Sequence, residues 1–261
     1  MLDLEVCRGS RLVDCVEQDA LAHLACRVYT QCRDLPEVTR KAAFLAAFAH
    51  EMPIRLRPNE CLVGSQRFTV PPWEAILGDD AVAAMRYRGN MGHIVVDYGM
   101  VLREGVNGLR LGVGAMPTDS EISRRNQTAF GKTLDAFAEF IRRHAEMAVD
   151  HDADVAETCA WVAEQPPRSF REALQLTWFT QVFLHAESPS TAAISFGRLD
   201  QVLWPFLRHD LAEGDLNEEG ARELLACFFL KCCEGDESQN LVVGGCDPEG
   251  RNAESPLSLL C

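Results

Sequence analysis

The sequence predicts a helix-rich α/β fold, and three observations carry that expectation. Capped stretches with apolar residues at three-to-four spacing recur along the chain. Short apolar runs closed by glycine lie between them. A content of 47% apolar and 25% charged residues is the balance of a globular chain rather than a disordered one. At 261 residues the chain can bury a substantial core. No repeat, low-complexity tract or linker divides it, so residues 1–261 are read as one domain.

Residues 14–33 and 36–51 read as two helices, the second with Pro36 in its first turn and Phe44, Leu45 and Phe48 on one face. Pro53 and Pro58 break that pattern. The apolar run 61–63, closed by Gly64, then reads as a short strand or extended segment. Residues 68–91 contain Pro71-Pro72 and little periodicity, and an irregular crossing is expected there. A further apolar run, 94–96, precedes a helix over 97–104. Asp119 or Ser120 suits the cap of a long helix reaching to about Asp150. Pro166-Pro167 ends one element, and Ser169 opens the next with Glu172 at the capping-box position. Leu174, Trp178, Val182 and Phe183 give that helix a buried stripe. Arg198 and Asp200 begin another helix, and Asp215 or Asn217 caps one more. "NLVVGGCDPEGRNAES" reads as a strand, a glycine turn and a polar hairpin-like loop. "PLSLLC" then begins an apolar element, and from this the chain reads as cut.

A net charge of -14 argues against a nucleic-acid backbone binder and against docking on an anionic membrane. No apolar run approaches the roughly 20 residues of a membrane span, and "MLDLEVCRGSRLVDC" lacks the pattern of a secretory signal, so a cytoplasmic chain is expected. The eleven cysteines form no close pairs of zinc-site spacing, and His23-x-x-Cys26 stands alone. They are expected as buried or surface thiols, in keeping with a reducing compartment, and no metal is expected. Neither a G-x-G-x-x-G turn nor a G-K-[ST] phosphate loop is present, and there is no G-x-S-x-G elbow. His144, His151 and His209 sit in polar helical contexts and are expected in solvent. His93, between Gly92 and an apolar run, is expected to be buried.

The stretch "AAISFGRLDQVLWPFLRHDLAEGDL" places Arg198 and Asp200 two residues apart in apolar surroundings, after a Ser-Phe-Gly turn. Desolvated charges must be paired or hydrogen-bonded, so the cluster is a structural clamp or part of a polar site. As a clamp, Asp200 gains from the helix dipole and Arg198 pairs across the junction.

Taken in order, "RPNECLVGS", "GHIVVDYGMVLREGVNGL", "PPRSFREALQLTWF", "AAISFGRLDQVLWPFLRHDLAEGDLNEEGARELLACFFLK" and "QNLVVGGCDPEGRNAESPLSLL" resemble the glycyl radical enzyme family of pyruvate formate-lyase. The likeness runs from about residue 20 to the last residue. It implies the first part of a ten-stranded α/β barrel, left incomplete, with short parallel strands and the "SFGR" turn beside the "GGC" turn. Such enzymes carry a backbone glycyl radical, installed by a radical S-adenosylmethionine activase, which oxidises a cysteine on a loop at the barrel centre. The thiyl radical then attacks a small substrate. Gly245-Cys246 matches the family's strand before that loop rather than the loop itself, and no R-V-x-G-Y motif is present. The resemblance therefore implies no catalytic residue in these 261 residues and no turnover by the chain alone.

What the resemblance does imply is half of a substrate pocket. The position of His93 faces the substrate in the family, as Arg in pyruvate formate-lyases and as His in diol dehydratase-like members, so His93 points to a hydroxyl-bearing substrate. The Ala192-Ala193 pair points the other way, towards pyruvate formate-lyases. The subclass stays open. Ser195, Arg198 and Asp200 are assigned to the structural side of the same wall. No bound cofactor is expected, and a partner chain or homo-oligomer completing the barrel is the alternative to a truncated enzyme.

Overall fold

A computed structural model describes residues 15–57, 60–66, 73–86, 93–187, 193–234 and 239–261. Helices dominate them, as the capped amphipathic segments require. α1 (Cys15–Gln31) and α2 (Glu37–Glu51) pack together, and α2 lies along α6 (Glu121–Ala148), a helix of 28 residues. Ser120 caps α6 by accepting the Ser123 N–H. Phe140 of α6 stands within 6 Å of the rings of Phe48, Phe179 and Phe183, which ties α2 and α6 to α8 (Phe170–Glu187).

The crossing expected to be irregular contains two short helices, α3 (Trp73–Leu77) and α4 (Asp79–Met85). Their lengths of five and seven residues are too short to show a period. They form because Trp73 is buried against Tyr29 and Phe44, and because the Arg40 guanidinium donates to the carbonyls of Met85 and Arg86.

After β1 (Ile94–Val95), α5 (Tyr98–Gly114) runs well past the expected end at Glu104. It does so through a break at Gly105, whose φ of 59° and ψ of -179° only glycine adopts without strain. A Cβ there would lie 2.4 Å from the Pro166 nitrogen, so the 165–166 backbone packs directly on the break. α7 (Ala153–Val162) leads to that turn.

Then comes α8, buried along nearly its whole circumference. Its start is built as the capping pattern predicts, with one shift. The Ser169 hydroxyl accepts the Glu172 N–H, but the Glu172 carboxylate reaches back to the Arg168 N–H, while Asp210 accepts the Phe170 N–H. β2 (Ile194–Ser195), α9 (Leu199–Glu213), α10 (Glu218–Cys232, capped by Asn217) and α11 (Pro256–Leu260) complete the order.

The segment 61–64, expected as a strand or extended stretch, is neither: it bends at 61–62, Gly64 has a φ of 100°, and it has no partner in the sheet. Its backbone bonds go to side chains instead. The Gln175 carboxamide donates to the Val63 carbonyl and accepts its N–H, at 2.8 and 2.9 Å. The Gly64 carbonyl accepts from Trp178 Nε1 and Lys231 Nζ. An amide side chain thus does what a neighbouring strand would do. Close by, Cys61 and Cys227 are joined by a disulfide, a pairing that the expectation of free thiols missed because the two are 166 residues apart.

His144 also departs from expectation. It is buried at 4% exposure, with Nδ1 bonded to the Phe140 carbonyl and its ring against Phe140 and Phe179. Its polar sequence neighbours Arg142, Arg143 and Glu146 stay at least partly exposed, while the His144 ring turns into the core. His151 and His209 are exposed as expected.

Burial pushes the His144 pKa down to about 4, helped by the nearby Lys231 and Arg143 charges, and burial alone takes His185 to about 4. The unfolded chain therefore takes up protons between pH 6.5 and 4 that the folded chain refuses. Stability is fully present above pH 6.5 and falls by about 3 kcal/mol per histidine as pH drops to 4. Urea unfolding across this range should show the loss, and His144→Gln should flatten the slope by removing one of the two titrations. An unchanged slope in that variant would contradict the assignment.

Candidate functional site

Three segments distant in sequence lie side by side in parallel. Ile94 is opposite Ile194 and Val95 opposite Ser195. One step earlier the His93 N–H donates to the Ala193 carbonyl at 2.9 Å. The continuation of β2 pairs with a third segment: the Phe196 N–H donates to the Asn240 carbonyl, the Val242 N–H to the Gly197 carbonyl, and Gly197 faces Leu241. These are the short parallel strands that the resemblance implied.

His93 begins this ladder with a φ of 61°, in the left-handed region that few non-glycine residues occupy. The expectation of burial fails, for the residue is exposed. Its neighbours Ile94 and Val95 are exposed as well, at 43% and 65%. β1 is an apolar run that presents itself outward, so apolar flanks gave a false burial signal. Ala193 is half-buried beside it. Ala192 lies outside the described residues.

The Ser195, Arg198 and Asp200 cluster closes around the glycine turn that follows the third segment. Arg198 donates to the carbonyls of Gly244, at 2.8 Å, and Cys246. Asp200 has no exposed surface; its carboxylate accepts the Gly244 N–H at 2.7 Å, the Ser258 hydroxyl at 2.5 Å and the Gln201 N–H at 2.9 Å. Ser195 donates to the Asn240 carbonyl and accepts the Gly197 N–H. The "SFGR" and "GGC" turns are therefore joined, and both charges are used on backbone groups. Gly197 is required at this junction: its φ is 62°, and a Cβ would lie 2.7 Å from Val95 Cγ1.

Sequence reasoning missed the polar residues behind the ladder. The Tyr98 hydroxyl donates to Gln181, whose Nε2 donates to the Ile194 carbonyl at 2.8 Å. The only signal was an uncharged polar series, Gln175, Gln181 and His185, within an apolar helix. A cleft of about 860 Å³ between α2 and α6 lies elsewhere and is lined by no residue of the ladder. Among the described residues no group of three His, Cys, Asp or Glu side chains is placed to hold a metal. No helix there is long and apolar enough to cross a membrane.

The cluster makes a stability prediction. Asp200→Ala takes the acceptor from the half-buried Gly244 N–H and Ser258 hydroxyl, at a cost of about 2 kcal/mol. Limited proteolysis should then cut within 244–258 before any other region opens. Equal resistance in Asp200→Ala and wild type would show that the carboxylate does not hold this turn.

Residues 70–261 match the family described as PFL-like, pyruvate formate lyase-like. The isethionate sulfite-lyase of Oleidesulfovibrio alaskensis is 36% identical over 202 residues, covering 64% of this chain and 24% of that protein. The isethionate sulfite-lyase of Nitratidesulfovibrio vulgaris is 34% identical over 172 residues, covering 55% of this chain and 21% of the relative. Among solved structures, one titled for 1,2-propanediol dehydration in Roseburia inulinivorans superimposes with a TM-score of 0.77 at 25% identity, covering 93% of this chain and 42% of that one. The chain thus spans between a fifth and a quarter of the length of these curated relatives.

Proposed function

We infer a function from one premise: this chain belongs to the pyruvate formate lyase-like family of glycyl radical enzymes. In our reading it forms part of a lyase or dehydratase that acts on a small polar organic substrate by thiyl-radical chemistry. The observation that carries the reading is the His93 N–H bond to the Ala193 carbonyl, which puts side by side two residues that the reading assigns to a substrate wall.

The chemistry of His93 suits a hydroxyl. An exposed imidazole offers one donor and one acceptor, which matches an alcohol, whereas a carboxylate calls for a guanidinium fork. When present, the glycyl radical supplies the oxidising equivalent that makes the thiyl. In this reading both radical residues come from polypeptide other than these 261 residues, and the residues described here bind and orient the substrate.

A second reading, in which this chain is a subunit completed by a partner, draws on the exposed apolar residues of the ladder. Ile94, Val95, Val242 and Val243 are each at least 40% exposed on segments with the form of strands. Such surface favours further strands, from a partner or from another copy.

Under strict anaerobiosis with a radical S-adenosylmethionine activase, the chain alone should give no organic radical in its electron spin resonance spectrum. Addition of a polypeptide bearing the Gly-Cys-x-Glu loop and the R-V-x-G-Y terminus should bring up a doublet and turnover. A glycyl radical mapped to this polypeptide itself would sink the reading. In the active assembly, His93→Ala should raise KM for a hydroxylated substrate about tenfold, the worth of one lost hydrogen bond of about 1.4 kcal/mol. An unchanged KM would remove His93 from the wall.

A further inference from the structure

Strands of two residues cannot fix their own register. β1 and β2 share one short ladder, and a slip by one residue costs few backbone bonds while reversing which side chains face outward. Something else must hold Ile94 opposite Ile194, and the structure puts one side chain in position to do so.

Gln181 has no exposed surface, and its carboxamide reaches β2 directly and the residues that flank the other two ladder segments. Oε1 accepts the hydroxyl of Tyr98, the residue that opens α5 just beyond β1. Nε2 donates to the Ile194 carbonyl of β2 at 2.8 Å. Its other hydrogen faces Gln239 Oε1 at 3.3 Å and His185 Nε2 at 3.2 Å. Gln239 directly precedes Asn240, whose carbonyl accepts the Phe196 N–H, and Gln239 is itself held by Gln66 Oε1 and the Cys232 carbonyl.

The orientation of this amide is determined by its partners. Burial raises the Tyr98 phenol well above its ordinary pKa, so it keeps its proton and can donate to the oxygen end of Gln181. The Ile194 carbonyl requires the nitrogen end. Reversing the amide would set two carbonyl oxygens against each other. His185, kept neutral by burial, presents a lone pair to the second N–H. A register slip of one residue would carry the Ile194 carbonyl about 3.3 Å along the strand and out of reach.

We propose that Gln181 is a positioning residue, whose single buried carboxamide sets the register of β1, β2 and the 240–242 segment and so places His93 against Ala193. Its bearing on a substrate rests on the reading of His93 and Ala193 as a pocket wall; the positioning itself does not.

Hydrogen exchange of the purified chain, read by mass spectrometry on peptides covering 93–97, 193–197 and 240–244, tests this with α6 as the internal reference. Gln181→Leu should speed exchange in the three ladder peptides about tenfold and leave α6 unchanged. Gln181→Glu keeps the shape and the acceptor but, ionised, has no hydrogen for Ile194. It should behave as Gln181→Leu at pH 8 and recover towards wild type at pH 5, as the buried carboxyl becomes protonated and donates. Each variant is compared with wild type at the same pH. Tyr98→Phe should speed exchange at 93–97 and 193–197, and should add nothing to Gln181→Leu. Acceleration that extends equally to α6, the same exchange in Gln181→Glu at both pH values, or additive effects of the two substitutions would each overturn the proposal. Should the Gln181 variants fail to fold, Tyr98→Phe decides alone, and exchange identical to wild type overturns it. The expected acceleration in the Gln181 and Tyr98 variants together with an unchanged KM for His93→Ala in the active assembly would sink the pocket-wall reading and leave the positioning intact.

Discussion

The structure depends on a helix with almost no solvent face. α8 is buried on nearly every side, so its polar side chains turn to partners inside the protein. Those partners are the backbone groups of segments too short to satisfy themselves. Gln175 takes both polar groups of Val63, Trp178 takes the Gly64 carbonyl, and Gln181 takes that of Ile194. The requirement acts in both directions, since the loops and strands could not be buried without these side chains either. One helix therefore fixes where several irregular segments lie.

A second layer of polar contacts locks the ends of those segments. Lys231, nearly buried on α10, donates to Glu60, to Glu234 and to the Gly64 carbonyl, while Arg57 reaches Glu234. Arg198 and Asp200 do the same at the opposite end of the chain, around the 244–246 turn. Removing one member of such a group leaves the other desolvated and unpaired, and that asymmetry makes the arrangement specific even where its net stabilisation is small. The outcome is a hydrogen-bonded frame behind the ladder and an exposed front carrying His93, Ile94 and Val95. A frame of this kind suits a site whose chemistry demands fixed geometry.

Much of the helical skeleton was legible in the sequence because its signals are local. Ser120, Ser169 and Asn217 cap the helices they were expected to open, and the aromatic and aliphatic spacing of α2 and α8 gave the buried stripes. The ordered motifs carried the family. Arg198 and Asp200 could be flagged because charge in apolar surroundings demands a partner, although the identity of that partner, a backbone turn, could not be read. The short helices α3 and α4 escaped because five or seven residues do not complete a recognisable period.

By itself the sequence determined most of the longer helices, several of their caps and the need for a polar cluster after residue 195, all of which follow from interactions within a few residues. The tertiary structure decided which apolar runs lie inside: β1 faces outward although it reads as core, and His144 is buried although its neighbours are charged. It decided that 61–64 bonds to glutamine and tryptophan side chains rather than to a strand. It also brought Gln181 to Tyr98 and Ile194, and Cys61 to Cys227. Burial and long-range pairing depend on what the rest of the chain places opposite a residue, and the local pattern around that residue carries no record of it.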